Sequence, residues 1–268
     1  MDRLRSGFAC LSPQAPRLYR APGRVNLIGE HTDYNGGFVM PAALGFSSFA
    51  AIGPREDGRL VVHSVNFDDT VDVPSEFLRA DVAPRESGVA AHWTDYVTGV
   101  IRVLREEGIP FEGANLALLG EVPLGSGLSS SAALELCVAL AVCGLAGSSL
   151  PGPRLAELCQ RAENVHVGTR CGIMDQFISA CGRAGHALLL DCRSLDYRLL
   201  PLAQHAGAPR TRLVVCNTMV RHELSGGEYN LRRAQCEAGV RALAAVDPAV
   251  KSLRDATMEM LDAAAPMM

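Results

Sequence analysis

One run constrains this chain more than any other: Gly23-Arg24-Val25-Asn26-Leu27-Ile28-Gly29-Glu30-His31-Thr32-Asp33-Tyr34-Asn35. Arg24, Asn26, Glu30, His31, Asp33 and Asn35 crowd polar side chains between an apolar Val-Asn-Leu-Ile stretch and a Gly36-Gly37 turn. A buried polar group left unpaired costs about 1–3 kcal/mol. Such a cluster beside a strand demands partners, and a polyhydroxylated ligand would supply them. The run predicts a sugar or polyol site.

At 268 residues, 48% apolar and 20% charged, the chain can bury a core in one large domain or two small ones. A net charge of -4 gives no basic footprint for nucleic acid. All but one of the 25 basic residues are Arg, the exception being Lys251. Walker-A ATPases and protein kinases both set a lysine on the phosphates. Lys251 lies far from any glycine loop, which argues against both classes. Nine cysteines without a Cys-x-x-Cys pair, several in apolar stretches, read as reduced thiols. Met1 to Arg20 lacks the apolar stretch of a signal peptide, and Leu136 to Gly147 is too short to span a bilayer. A cytoplasmic monomer, off the membrane, is expected.

Periodicity and turn residues predict strands at Arg17–Ala21 and Arg24–Ile28 around an Ala-Pro-Gly turn. Further strands are expected at Phe46–Ile52, Leu60–Val65, Thr70–Val73, Asn115–Glu121, Ala187–Leu190, Arg198–Leu200 and Arg212–Cys216. Helices are expected at Trp93–Glu107, Ser130–Gly144, Arg154–Val167, Met174–Cys181, Leu231–Ala245 and Ser252–Leu261. The helix from Ser130 is apolar nearly all round and so should be buried. Strands and helices mix without strict alternation, which predicts an α+β layer fold with a mixed sheet.

A second constellation, Pro123-Leu124-Gly125-Ser126-Gly127-Leu128-Ser129-Ser130-Ser131-Ala132, runs a strand through a Gly-x-Gly loop into that helix. Glycines allow close approach of backbone N–H groups to an anion, and a helix N-terminus presents unpaired N–H groups with partial positive charge. A phosphate cradle without lysine fits; so does a plain turn with serine caps. Asp175, in Cys171-Gly172-Ile173-Met174-Asp175-Gln176-Phe177, falls in the first turn of a helix, where the dipole favours a carboxylate. Glu163 flanks an apolar helical stripe, as a metal ligand or a solvated edge residue. Tyr229 precedes a helix. His92, His166, His186 and His222 have no zinc spacing. Phosphoryl transfer needs positioning and charge stabilisation more than covalent work, and these parts suffice for a sugar kinase.

The first run resembles the galactokinase signature, and the glycine-serine segment resembles the phosphate motif of the wider GHMP kinases. The segments around Cys171 to Phe177, Gly185 to Leu195, and Val220 to Leu224 with Glu228-Tyr229 also resemble galactokinases. The likeness extends from about Arg20 to about Ala245. It implies a GHMP-kinase-like two-layer fold, with residues 1–200 as the N-terminal domain and 201–268 as an incomplete C-terminal region. It also implies transfer of the ATP γ-phosphate to the C1 hydroxyl of α-D-galactose, with Mg²⁺. Asp175 is then the base and Arg24 the cation beside it. Glu30, His31, Asp33, Gly172 and Tyr229 are sugar contacts, and Gly125, Ser126, Gly127, Leu128, Ser129 and Ser130 form the cradle. Ser131 and Glu163 are metal ligands, and Trp93 is a wall of the adenine pocket.

Two departures stand out. Relatives of the family continue further, with a Gly-Gly-Gly-Phe-Gly-Gly motif that this chain lacks, so a fragment of weak or absent turnover is expected. Ser225-Gly226-Gly227 replaces small non-glycine residues before Glu-Tyr. A non-catalytic sensor of the same family lacks the Ser-Ala pair kept here as Ser131-Ala132. Kinases for N-acetylgalactosamine or arabinose stay open.

Overall fold

The computed structural model describes residues 1–79, 81–82, 91–202, 213–216 and 227–265. The expected motif at Val220 to Leu224, His222, Ser225 and Gly226 lie outside the described residues. So do Arg212 and the final 266–268.

In chain order the elements are α1 (Asp2–Ala9), β1 (Arg17–Asn26), β2 (Phe38–Val39), β3 (Pro41–Pro54), β4 (Leu60–Ser64) and β5 (Asp69–Val73). Next come α2 (Trp93–Glu106), β6 (Ala114–Gly120), α3 (Ser130–Leu145), α4 (Gly152–Ala162), α5 (Met174–Cys181), β7 (His186–Asp191) and β8 (Tyr197–Pro201). The last are α6 (Gly227–Val246) and α7 (Met258–Ala264). The described strands form one mixed sheet ordered β2-β7-β3-β6-β4-β5, with β1 added to β3 and β8 to β7. Among the described strands only the β4–β6 pairing is parallel.

The period-two alternation of β3 and β6 divides two cores. Ala50, Ile52, Ala114, Leu116 and Leu118 face α2, α3 and α4, while Ala51, Ala117 and Leu119 face Leu4 and Phe8 of α1. Helix α1 is not among the expected helices, although Leu4 and Phe8 stand at i,i+4 and are 0% and 1% exposed. In α2 the expected stripe of Val97, Val100, Ile101 and Leu104 is buried.

Two strands were expected around an Ala-Pro-Gly turn; β1 runs through it. Its register with β3 slips between Pro22 and Arg24, where Gly23 alone stands opposite Leu44, Gly45 and Phe46, a bulge carried by β3. Proline is tolerated because β1 pairs only with β3 among the described strands, so the missing N–H falls on a free edge. A Cβ at Gly23 would sit 2.6 Å from the Leu128 carbonyl oxygen, which accepts the Arg24 N–H at 3.0 Å. Gly23 thus seats the glycine loop directly on β1.

The helix expected over Arg154–Val167 is α4 followed by a π-helical turn, Glu163–Val167, closed by left-handed Gly168. Such turns recur at functional sites, because the added residue re-aims a side chain. Residues 213–216 form no strand. The helix expected over Ser252–Leu261 is a 3₁₀ turn, Leu253–Asp255, and then α7. Asp255 accepts the backbone N–H groups of Lys251 and Ser252 at 3.0 Å each, which tightens that turn, and Thr257 restarts the helix as its N-cap. Arg254 then donates to the Gly36 carbonyl at 2.8 Å and stacks 4.3 Å over the Phe38 ring. The C-terminal segment therefore pins the turn that follows the first signature.

Candidate active site

Arg24 lies near the end of β1, beside the first turn of α5. Its Nε donates to Asp175 Oδ1 at 2.7 Å and its Nη2 to Oδ2 at 2.9 Å, a two-pronged pair that fixes both planes. A third donor, Nη1, reaches the Gly127 carbonyl. The side chains are 13% and 28% exposed, so the pair is sheltered yet reachable. Ser129 Oγ donates to Asp175 Oδ2 at 2.6 Å. One carboxylate thus ties β1, the glycine loop and α5 together.

Asp33 lies beside it, in a 3₁₀ turn spanning Asp33–Asn35. Its carboxylate accepts the backbone N–H of Met174, the first residue of α5, where the helix dipole favours negative charge. Burial, and then the charge of nearby Asp175, push its pKa above the usual carboxylate range. Gly172 is a glycine for want of space: a Cβ there would fall 1.8 Å from Asp33 Oδ2. The Gly172 N–H donates to the Tyr229 hydroxyl at 3.2 Å, which brings α6 to the same spot. Tyr229, Tyr34 and His31 form a ring cluster with centroids 5.6–5.8 Å apart, and His31 Nδ1 meets the Tyr34 hydroxyl at 2.7 Å. Burial pushes Tyr34 up to about 12 and raises Tyr229 as well.

Contrary to expectation, the polar side chains of the first run find partners within the protein. Asn26 Nδ2 donates to Glu30 Oε1 at 2.9 Å, and Asn35 Nδ2 to the His31 carbonyl at 2.8 Å. Arg24 pairs with Asp175. Among the described residues only Asn26 Oδ1 of this run is buried without a partner. The run is mostly self-satisfied, which preorganises it before any ligand arrives.

In the glycine loop, Gly125, Gly127 and Ser129 alternate as left-handed residues, with φ of 68°, 72° and 59°. Alternating hands bend a chain so that its N–H groups converge on one concave side, a form that suits anions. Ser126 Oγ folds back onto the Pro123 carbonyl at 2.6 Å. Leu128 packs its side chain inward against Val122 and Ala133, which leaves only its backbone for a ligand. Ser130 and Ser131 open α3, whose N-cap, Ser129, makes no side-chain capping bond. The first N–H groups of α3 are therefore not capped by Ser129. Trp93 stands at the same end of the sheet: its indole N–H donates to Asp69 at 2.9 Å, while Asn66, in the turn before Asp69, exchanges hydrogen bonds with Gly120.

Behind Asp175 lies a buried polar group in which Glu163, a candidate metal ligand from the sequence, meets Glu135 and Gln176, which the sequence does not single out. Glu163 and Glu135 are 5% and 0% exposed, and Gln176 Nε2 donates to both, at 2.7 and 3.0 Å. Cys171 Sγ also contacts Glu163, at 3.6 Å. Burial and mutual repulsion hold Glu135 far above the usual range, and burial with the Asp175 charge pushes Glu163 to about 7. The signal was present, since Glu135 is the one charged residue in an otherwise apolar and small-residue helix.

A stability prediction follows from Glu135. The unfolded glutamate ionises near 4.3, whereas the folded one keeps its proton to much higher pH, so folding binds a proton. Stability is therefore full below the unfolded value and falls as pH rises, by up to about 1.4 kcal/mol per pH unit. Glu135→Gln removes this loss. Urea melts should show its advantage over wild type widening from pH 5 to pH 8; a constant difference would count against a buried neutral Glu135.

The GHMP kinases N terminal domain model matches residues 95–183, and the galactokinase galactose-binding signature matches residues 9–54. The galactokinase of Streptomyces coelicolor is 51% identical over 247 residues, covering 92% of this chain. The chain belongs to the galactokinase family. A Chloroflexus aurantiacus galactokinase is 46% identical over 89% of the chain. Among solved structures, the galactokinase of Lactococcus lactis complexed with galactose superposes with a TM-score of 0.80 at 31% identity. That superposition covers 98% of this chain and 66% of the other. Methanococcus jannaschii mevalonate kinase (TM-score 0.58, 20% identity, 70% of this chain and 56% of that one) shares the fold alone. Galactokinases of Streptomyces and Chloroflexus extend beyond the match: the chain spans 60% and 58% of their lengths. The expected α+β GHMP-kinase fold is the fold observed. No described helix is long and apolar enough to cross a membrane.

Proposed function

We propose that the full-length protein phosphorylates the C1 hydroxyl of α-D-galactose from ATP. The observation that carries this is the Arg24–Asp175 pair, held between the Asp33–Gly172 contact on one side and the left-handed glycine loop on the other. The galactose complex of the Lactococcus relative supports the sugar class. Asp33, Glu30, His31, Gly172 and Tyr229 would bind and orient the sugar. Asp175 accepts the hydroxyl proton, and in a loose transition state that proton leaves late, so a weak base suffices. Arg24 fixes the carboxylate and stands ready for developing charge. The backbone of Gly125 to Ser130 cradles the phosphates, and Trp93 walls the adenine.

Mg²⁺ fits the donors present. Ser131 and Glu135 are one turn apart on the same face of α3, which places the Ser131 hydroxyl a turn from the Glu135–Glu163 pair. A hydroxyl and a carboxylate suit a hard dication that takes its remaining ligands from phosphates and water. Bound there by Ser131 and Glu163, the ion would neutralise phosphate charge. All nine cysteines are unpaired, in keeping with a reducing cytoplasm, and a monomer suffices for this site.

The test is ADP release by the full-length protein across a panel of galactose, N-acetylgalactosamine, arabinose and glucose. Galactose should dominate. Galactose binding by calorimetry without any phosphorylation would point to a sensor instead, and turnover of another sugar at higher kcat/KM would replace the substrate.

A further inference from the structure

The glycine-loop serines would be expected to face phosphate, yet Ser129 has already committed its only proton. Its hydroxyl donates to Asp175 Oδ2 at 2.6 Å, and a serine has one O–H to give. The residue holds a left-handed backbone (φ 59°, ψ 52°) that a side chain other than glycine adopts at a cost, and it caps no helix N–H. The turn brings this hydroxyl to the carboxylate.

A carboxylate oxygen offers about two acceptor positions. Among the described residues, Asp175 Oδ2 takes two donors, Arg24 Nη2 and Ser129 Oγ, whereas Oδ1 takes only Arg24 Nε. We propose that Ser129 is a positioning residue: it fills Oδ2 and leaves Oδ1 as the oxygen that receives the acceptor-hydroxyl proton. This rests on the kinase reading above. In the reaction the hydroxyl proton passes to Asp175 Oδ1 and the hydroxyl oxygen bonds to the γ-phosphorus. The electrons of the broken phosphorus–oxygen bond leave with ADP. Because Ser129 belongs to the loop that seats the phosphates, the same bond aligns the base with the nucleotide. Arg24 makes the second link, through the Gly127 carbonyl.

Two substitutions separate the hydroxyl from the turn. Ser129→Ala loses the hydroxyl and keeps the backbone strain; Ser129→Gly loses the hydroxyl and relieves it, and so guards against misfolding. In steady-state kinetics of the full-length protein, kcat should fall about 10-fold or more in both variants. KM for galactose and for ATP, and the calorimetric galactose Kd, should stay within about 3-fold of wild type, because the Arg24 fork still holds Asp175. Wild-type kcat in Ser129→Gly would overturn the proposal, since the turn alone would then matter. A raised KM for ATP at unchanged kcat would also overturn it, by making Ser129 an ordinary phosphate contact. If the wild-type protein binds no galactose, or binds it without turnover, the underlying kinase reading fails, a result distinct from either variant outcome.

Discussion

Asp175→Asn in the full-length protein is expected to lower galactose-dependent ADP release by about 10³-fold, with galactose binding weakened far less. General base groups contribute about 10²–10⁴-fold. This one is held by three hydrogen bonds that an amide cannot all keep. Arg24 Nε and Nη2 and Ser129 Oγ all donate to it, so one of its two faces would meet donor against donor once an NH₂ replaces an oxygen. Asn preserves the volume at the mouth of the glycine loop. Asp175→Ala instead leaves a guanidinium that is 13% exposed without its main partner, and should also lower the melting temperature. Turnover in Asp175→Ala equal to that of wild type would end the assignment of this carboxylate as the base.

The base role comes from the family resemblance; the residues alone place a carboxylate in the first turn of a helix, and the short motif keeps its candidate groups together. Gly172, Asp175 and Gln176 sit within five residues, and the first signature holds Arg24 through Asp33 in another short stretch. Their meeting is implied by the family resemblance and not by spacing: Arg24 and Asp175 are 151 residues apart and come together through the placement of β1 beside α5. The reading of the polar run erred on physical grounds. It counted buried donors and acceptors without foreseeing that a strand end and a 3₁₀ turn would let them satisfy one another. The strand pattern was recovered where β3 and β6 alternate. It failed at Pro22, where an edge strand tolerates what a central strand would not. The helix from Arg154 is where the spacing puts it except in its last turn: the wider π turn shifts the buried face, so Val165, expected on the apolar stripe, is exposed while His166 and Val167 are buried. Glu135 is the single charge in a buried helix, and its partners Gln176 and Glu163 come from other helices, so no local pattern announces them.

Gly172→Ala is the second large effect expected. The added methyl would lie 1.8 Å from Asp33 Oδ2 and 2.1 Å from its Cγ, so the carboxylate must move. Movement is costly, since Asp33 gives up the α5 N-terminal N–H at Met174 while remaining a half-buried acid next to Asp175. A hydrogen-bonded carboxylate displaced in this way loses about 2–3 kcal/mol. The same displacement removes a proposed sugar contact and disturbs the Gly172 N–H bond to Tyr229, so galactose affinity should fall about 100-fold. The cause can be isolated by a double-mutant cycle. Asp33→Ala clears the space, so adding Gly172→Ala to it should cost under about 0.5 kcal/mol in urea melts, against about 2–3 kcal/mol in the wild-type background. Equal costs in the two backgrounds would place the strain elsewhere, in the loop before α5, and would separate Gly172 from the sugar site.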